Sequence, residues 1–307
     1  MAKPSANAAA TAQLLGEIAQ ASGLPAGVFN LVQGRGGVAG SALVEHPGLS
    51  TIAFAGRTET GRLIQKSAAE YLKRTQLSLG ACNAAVIFTD ADLEKAVSAV
   101  VKLSLSSLTP RALRVTRIFV QDPIHAKFLE MFKEAAAKLV IAEPLNEATD
   151  LGPLRRRALA EAHLQDAKMA GGEKGKSLLG NSKLPPKGYF VEPMAFADLT
   201  QCSTLQQTDV AGPLALVSSF KYQHDALKYM GNSPFALASY LFHGDGEKLQ
   251  KIAAKFETAR VFLNVDEPAW SPAMEFDGLK DSGLGREGLP AWMRFFSRES
   301  TIIGGMK

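Results

Sequence analysis

The chain has 307 residues, 46% of them hydrophobic and 21% charged, with a net charge of +4 at pH 7 and a pI near 9.0, which fits one large or two ordinary folded domains with a substantial core. Its basic residues are scattered apart from Arg155-Arg156-Arg157, and Trp and Tyr are few, so the basic face with stacking aromatics of a nucleic-acid binder is absent. No apolar run is long enough for a membrane span, the opening MAKPSANAAATAQLLGEIAQ lacks a secretory pattern, and two cysteines (Cys82 and Cys202) with five histidines at no ligand spacing support neither a disulfide framework nor a zinc site, so a reducing cytoplasm is the expected location.

In chain order, the apolar period of residues 6–22 predicts a helix, stopped by Gly23-Leu24-Pro25. VFNLVQ (28–33) reads as a strand and VAGSALVEH (38–46) as a short helix. TIAFAG (51–56) is a second strand without polar alternation, RTETGRLIQKSAAEYLKR (57–74) a helix and TQLSLG (75–80) a third strand. Apolar strands alternating with helices predict a parallel sheet covered on both faces, in the doubly wound βαβαβ pattern. The pattern continues with strand AAVIF (84–88) and a helix over 90–107 capped by Thr89 or Asp90. Strand RIFVQ (117–121) and an amphipathic helix over 123–139 follow. A helix over 155–170 leads into AGGEKGKSLLGNSKLPPKG, a Gly/Lys/Pro-rich surface loop. Then come a strand at 214–220, helices near 223–231 and 246–257, a strand at 260–264, and FFSRESTIIGGMK as a terminal strand.

After the strand at 51–55, Gly56 and Gly61 flank a helix start. Such an end can hold a phosphate through its free N–H groups and the helix dipole. A glycine that merely ends a strand has the same spacing, and spacing alone does not separate the two. It is not a P-loop, since no Lys-Ser/Thr follows the second glycine.

Four stretches in fixed order carry a family resemblance: KPSA (3–6), FAGRTETG (54–61), LSLGACNAAVIFTDADLEKAV (77–97) and EFDGLKDSGLGREG (275–288). Between them, RIFVQ, GYFVEPMAF (188–196), DVAGPLALV (209–217) and NSPFALASYLF (232–242) add to it. Together they resemble an aldehyde dehydrogenase over essentially the whole chain. The resemblance implies oxidation of an aldehyde with NAD or NADP. A cysteine thiolate attacks the carbonyl, hydride leaves to the nicotinamide, and a glutamate activates the water that hydrolyses the thioester.

Against that family pattern this chain departs at the chemical positions. The strand that ends Glu-Leu-Gly-Gly-Lys in the family is here Ser78-Leu79-Gly80-Ala81-Cys82, so the general-base position carries Ser78. Counting back from TRIFVQ without gaps places the nucleophile position at Ala112, and the interval from Ser78 matches the family's Glu-to-Cys interval. Thr109-Pro110-Arg111 replaces the family's Gly-Gln approach. Cys82 stands at a lysine position and is read, like Cys202, as a structural or incidental thiol.

On the cofactor side, the resemblance assigns Lys3 to the adenosine ribose, with Ala6 where an acidic residue often follows. Arg57 stands at the pyrophosphate-facing helix start flanked by Gly56 and Gly61, and Asp209 where a glutamate contacts the nicotinamide ribose. Ala211 replaces a phenylalanine and Asp277 a glycine.

Family chains carry a further N-terminal region before the Lys-Pro-Ser stretch, including an asparagine that donates to the oxyanion. The expected architecture is therefore α/β and aldehyde-dehydrogenase-like, with parallel doubly wound sheets and the N-terminal part of the cofactor-binding domain missing. Residues 1–79 are a remnant of the dinucleotide-binding domain, 80–290 a catalytic-type domain and 291–307 an oligomerisation-type strand. The function read from these departures is a non-catalytic relative with a binding or assembly role, as a homo-oligomer or with another dehydrogenase chain. The alternative is an NAD(P)-dependent aldehyde oxidoreductase, alone or as part of a split enzyme.

Overall fold

A computed structural model describes residues 1–180 and 182–305. The chain divides into two compact units, Met1–Leu77 with Trp292–Lys307, and Ser78–Ala291.

The first unit contains helix α1 (Ala9–Ala21), the short helix α2 (Ser41–Glu45), strand β1 (Thr51–Ala55), helix α3 (Thr58–Glu70) and all but the last residue of strand β2 (Arg74–Ser78), with β1 and β2 neighbours in a sheet. VFNLVQ, expected as a strand, makes only an isolated bridge from Leu31 to Ala2. A strand exists through its hydrogen-bonded neighbours, and Val28, Phe29 and Asn30 belong to no ladder and lie exposed. The expected βαβαβ opening is thus reduced to β1-α3-β2. Ala53 and Ala55 of β1 are exposed, so the cover expected on both faces is absent there.

The second unit is built on a seven-stranded sheet in the order β10-β9-β3-β4-β7-β6-β5. Its strands are β3 (Asn83–Ile87), β4 (Val115–Gln121), β5 (Lys176–Ser177), β6 (Met194–Ala197), β7 (Leu214–Phe220), β9 (Ala238–Phe242) and β10 (Arg260–Leu263). All neighbours run parallel except β5, which pairs antiparallel with β6. A further strand, β8 (Phe235–Ala236), pairs antiparallel with β11 (Leu279–Lys280).

Every residue of β3 and β9 is buried, because helices lie on both faces. Alternate residues of β3 serve opposite layers. Ala85 and Ile87 join a core with α4 (Leu93–Leu105) and α5 (Asp122–Ala136), including Val97, Leu103, Phe128 and Phe132. Ala84 and Val86 join Met230 of α7 (Gln223–Gly231) and Leu249 of α8 (Gly246–Ala253) on the other face. Helix α6 (Arg157–Gly172) packs Ala170 into a smaller cluster with Leu205 and Leu214.

Two expectations change in this unit and one at the chain's end. The cap of α4 is Asp92, whose Oδ1 accepts from Lys95 N at 3.2 Å, because it is the acidic residue immediately before the first helical turn; Thr89 and Asp90 lie too far upstream. The stretch after α6, expected as loop throughout, contains β5; its Asn181 lies outside the described residues. Residues 291–305 form no strand where one was expected over 291–307: helix α9 (Leu289–Phe296) occupies the start, and 297–305 forms none. Ile302 and Ile303 are more than nine-tenths exposed, with no partner strand among the described residues to hold their backbone. Met306 and Lys307 lie outside the described residues.

Candidate functional site

The segment before β4 carries Ala112. Pro110 fixes the entry, Arg111–Leu113 forms one 3-10 turn, and β4 begins at Val115. The turn is pinned from beneath by Asn83, 2% exposed at the start of β3. Asn83 Nδ2 donates to Ala112 O at 2.8 Å and to Arg114 O at 2.9 Å, while its Oδ1 accepts from Ala238 N at 3.0 Å. One amide thereby ties together the turn, β3 and β9. The Tyr240 hydroxyl donates to Leu113 O at 2.9 Å, and Thr109 Oγ1 to Lys102 O at 3.1 Å. The β3–β4 register shifts between Asn83 and Ala84, the kind of bulge that re-aims side chains beside sites.

Arg111 reaches Asp209. Its Nη2 lies 3.2 Å from both carboxylate oxygens, with each side chain partly exposed. Arg114 sits close by, and its Nε is buried without a hydrogen-bond partner among the described residues. Burial, with the like charge of Arg111 beside it, pulls the Arg114 pKa down to about 10. The carboxylate assigned by resemblance to a ribose is therefore already engaged by a guanidinium of the same chain. The neighbouring Ala211 N donates to Asp166 Oδ2 at 3.1 Å, and burial pushes the Asp166 carboxyl up.

Ser78 ends β2 and hydrogen-bonds the Glu287 carboxyl, whose pKa burial raises above its ordinary value. A carboxyl thus lies against the residue that the resemblance places at the general-base position, contributed from a distant part of the chain. Asp277 pairs loosely with Arg260 at 3.8 Å, and Arg260 lies over the Phe276 ring at 3.7 Å.

The two thiols differ in access. Cys82 is 2% exposed and points its Sγ at Gln206 O, 3.7 Å away. Burial pushes its pKa up, and the opposing pull of Arg117 is smaller, so the nucleophilic thiolate is disfavoured. Cys202 is exposed in a connection after β6.

The remaining positions that the resemblance assigns to a cofactor lie in the first unit. Lys3 Nζ donates to Pro4 O at 2.6 Å. Gly56 follows β1, and a Cβ there would overlap the Phe54 ring unless that side chain shifted. Arg57 is the N-cap residue of α3 with an extended backbone and an exposed side chain. Gly61 is buried inside α3, and its N–H is bonded to Arg57 O at 3.0 Å, so this amide is not free for a phosphate. Among the described residues no group of three or more His, Cys, Asp or Glu could hold a metal, and no helix is long and apolar enough to cross a membrane.

The parallel sheet, the ordered motifs along it and the pinned turn before β4 can be set against known proteins. Residues 1–302 match the aldehyde dehydrogenase family. The chain belongs to that family. A betaine aldehyde dehydrogenase of Brucella melitensis is 32% identical over 305 residues, 98% of this chain and 62% of the relative. An aldehyde dehydrogenase-like protein of Schizosaccharomyces pombe is 32% identical over 272 residues, 88% of this chain and 55% of the relative.

Among solved structures, HpcC from Thermus thermophilus superposes with a TM-score of 0.91 at 30% identity, covering 99% of this chain and 62% of the other. An aldehyde dehydrogenase C mutant from Pseudomonas syringae, crystallised with NAD+ and octanal, gives 0.89 at 26% identity, covering 96% and 61%. The fold is therefore that of an aldehyde dehydrogenase in part: the chain spans about three fifths of the length of these relatives.

The second unit brings Asp209 to the turn that carries Ala112, and Glu287 to Ser78. Lys3, Gly56, Arg57 and Gly61 belong to the first unit. Sequence reading passed over Asn83, Glu287 and the Arg111–Asp209 pair. Asn83 left one trace, a lone amide opening an otherwise apolar strand, where a buried polar group must have partners.

Proposed function

We propose that this chain is an aldehyde-dehydrogenase-like protein that does not carry out the family's covalent oxidation and instead serves a binding or assembly role. The observation that carries the reading is the turn before β4. Ala112 presents a methyl group where the resemblance requires a thiolate, and the flanking Arg111 guanidinium clamps Asp209. Loss of the nucleophile removes the covalent route altogether, where loss of a single electrostatic donor would only slow it. Ser78 cannot serve as a base at neutral pH, and Cys82 is held as a buried thiol.

The dinucleotide fits poorly as well. Asp209 is held by Arg111, and the Gly61 amide is engaged within α3. Tight binding of NAD or NADP is therefore not expected. Exposed Leu14, Leu15 and Ile18 on α1, a helix with no buried residue, are consistent with assembly, either with a second copy or with another dehydrogenase chain.

The test is an aldehyde panel with NAD+ or NADP+ and purified protein, read by reduced-cofactor fluorescence. The reading expects no aldehyde-dependent signal, alone or with a candidate partner chain. Steady turnover by the purified chain would refute it. Turnover only with an added dehydrogenase chain would favour the split-enzyme alternative.

A further inference from the structure

The Arg111–Asp209 clamp leaves a second guanidinium of the same segment without an acceptor. Arg114 follows Arg111 at the end of the 3-10 turn, and among the described residues its side chain makes no hydrogen bond or ion pair. Its Nε is sealed from solvent, whereas the residue as a whole is half-buried, so the Nη groups stay reachable. Arg117, an interior arginine on β4, shows the contrast: the carbonyls of Cys82, Tyr229 and Met230 accept from all three of its nitrogens, at 3.2, 3.0 and 3.3 Å. Arg114 has no such cage. A guanidinium with five donors and no acceptor, in a partly dry place, is costly unless an anion supplies the acceptors.

The surroundings say which anion. Both oxygens of Asp209 lie on Arg111, so two cations and one carboxylate meet here. Burial and the like charge of Arg111 lower the Arg114 pKa only to about 10, which leaves it charged at neutral pH. His163 on α6, close enough to interact with Arg114, is kept neutral by burial, which lowers its pKa. Asp166 accepts from Ala211 N and acts on His163, not on Arg114. One positive charge is left over, which matches a monoanion. The planar Nη edge of arginine matches the two oxygens of a carboxylate. Half-buried Ala112 and Ala211, on the segments that carry Arg114 and Asp209, add methyl groups without further polar demands. We propose that the turn before β4 binds a small carboxylate monoanion, with Arg114 as its anchor and the Arg111–Asp209 pair beside it. This names a ligand class for the binding role proposed above and rests on that reading.

Isothermal titration of the full chain with propanoate, in chloride buffer of fixed ionic strength, tests it. One saturable site per chain is expected, and sulfate, a dianion, should bind more weakly. Arg114→Met should weaken propanoate binding about tenfold or more, the worth of a charge-assisted contact. The same variant should raise the thermal midpoint of the ligand-free chain, because a cation without acceptors is replaced by an apolar side chain of similar length. That readout separates a lost site from a lost fold. Asp209→Asn tests the charge argument with Arg114 intact: it releases Arg111, leaves two positive charges, and should tighten sulfate more than propanoate. Absence of saturable propanoate binding, or equal binding by a folded Arg114→Met chain, would overturn the proposal. Sulfate preferred over propanoate by the unaltered chain, or no gain for sulfate in Asp209→Asn, would overturn the monoanion assignment. The titrations contain neither aldehyde nor dinucleotide. Absent binding would leave the loss of the covalent route standing, and aldehyde turnover would refute that loss without altering the titration.

Discussion

Replacing Asn83 by alanine removes the amide that pins the Ala112 turn to β3 and β9. Three hydrogen bonds disappear, to Ala112 O, Arg114 O and Ala238 N, at 2.8, 2.9 and 3.0 Å. Each is worth about 1 kcal/mol net, and partners left buried without water cost more, so Asn83→Ala should destabilise the fold by roughly 3–5 kcal/mol. Urea unfolding followed by far-UV circular dichroism measures this as a fall in midpoint at unchanged slope. Asn83→Asp sharpens the test. Its carboxyl keeps an acceptor for Ala238 N but sets the other oxygen against two carbonyl oxygens, so the folded state should hold the proton and raise the pKa. A raised folded pKa gives stability that is full below the unfolded value and is lost as pH rises through the folded one. Asn83→Asp should therefore approach wild type at low pH and fall away towards neutrality. A loss under about 1 kcal/mol for Asn83→Ala would refute the idea that this amide holds the turn.

Glu287, raised above its ordinary 4.5 by burial, follows the same sign: its contribution is full below that value and lost as pH climbs through the raised one, and Glu287→Gln should flatten this part of the pH–stability profile. Thiol titration of the native chain should find one fast group, Cys202, with Cys82 far slower until the chain unfolds. Two fast groups would contradict the burial of Cys82. Ala112→Cys should add a reactive thiol without sustained aldehyde-dependent NADH production, since the residue the resemblance places at the deacylation base is Ser78; multiple turnovers by that single variant would show that Glu287 or water suffices. Gly212→Ala should cost about 2 kcal/mol or more, because its Cβ would meet the ring of His163, which is fully buried with Nε2 bonded to Glu192 O at 2.8 Å. A thermal midpoint equal to wild type would contradict that packing.

Much of the second unit was legible in the sequence because its strands are apolar throughout, as burial on both faces demands. AAVIF and RIFVQ lie within or beside β3 and β4, and the strand expected at 214–220 is β7. The failures share a cause. VFNLVQ and STIIGG have strand-forming residues, but strand formation depends on a neighbour, and a single segment's composition does not name one. The cap of α4 was misplaced because two acidic residues, Asp90 and Asp92, precede the helix and only backbone geometry selects between them.

At the site, Ser78 and Ala112 were assigned by resemblance, through ordered motifs. Their surroundings were hidden, because Arg111 and Asp209 are 98 residues apart in sequence and Glu287 comes from the far end of the unit. The burial that holds Cys82 as a thiol is likewise a property of the packed sheet, since nothing adjacent in sequence raises its pKa.

A single-turnover experiment asks whether this chain can form the covalent intermediate at all. Purified chain at high concentration would be mixed with NAD+ and an aldehyde, the reduced cofactor followed by fluorescence, and the quenched protein weighed by intact-mass spectrometry. With alanine at position 112, no burst of NADH and an unmodified mass are expected. A burst stoichiometric with protein, together with an acyl adduct on the chain, would contradict this expectation.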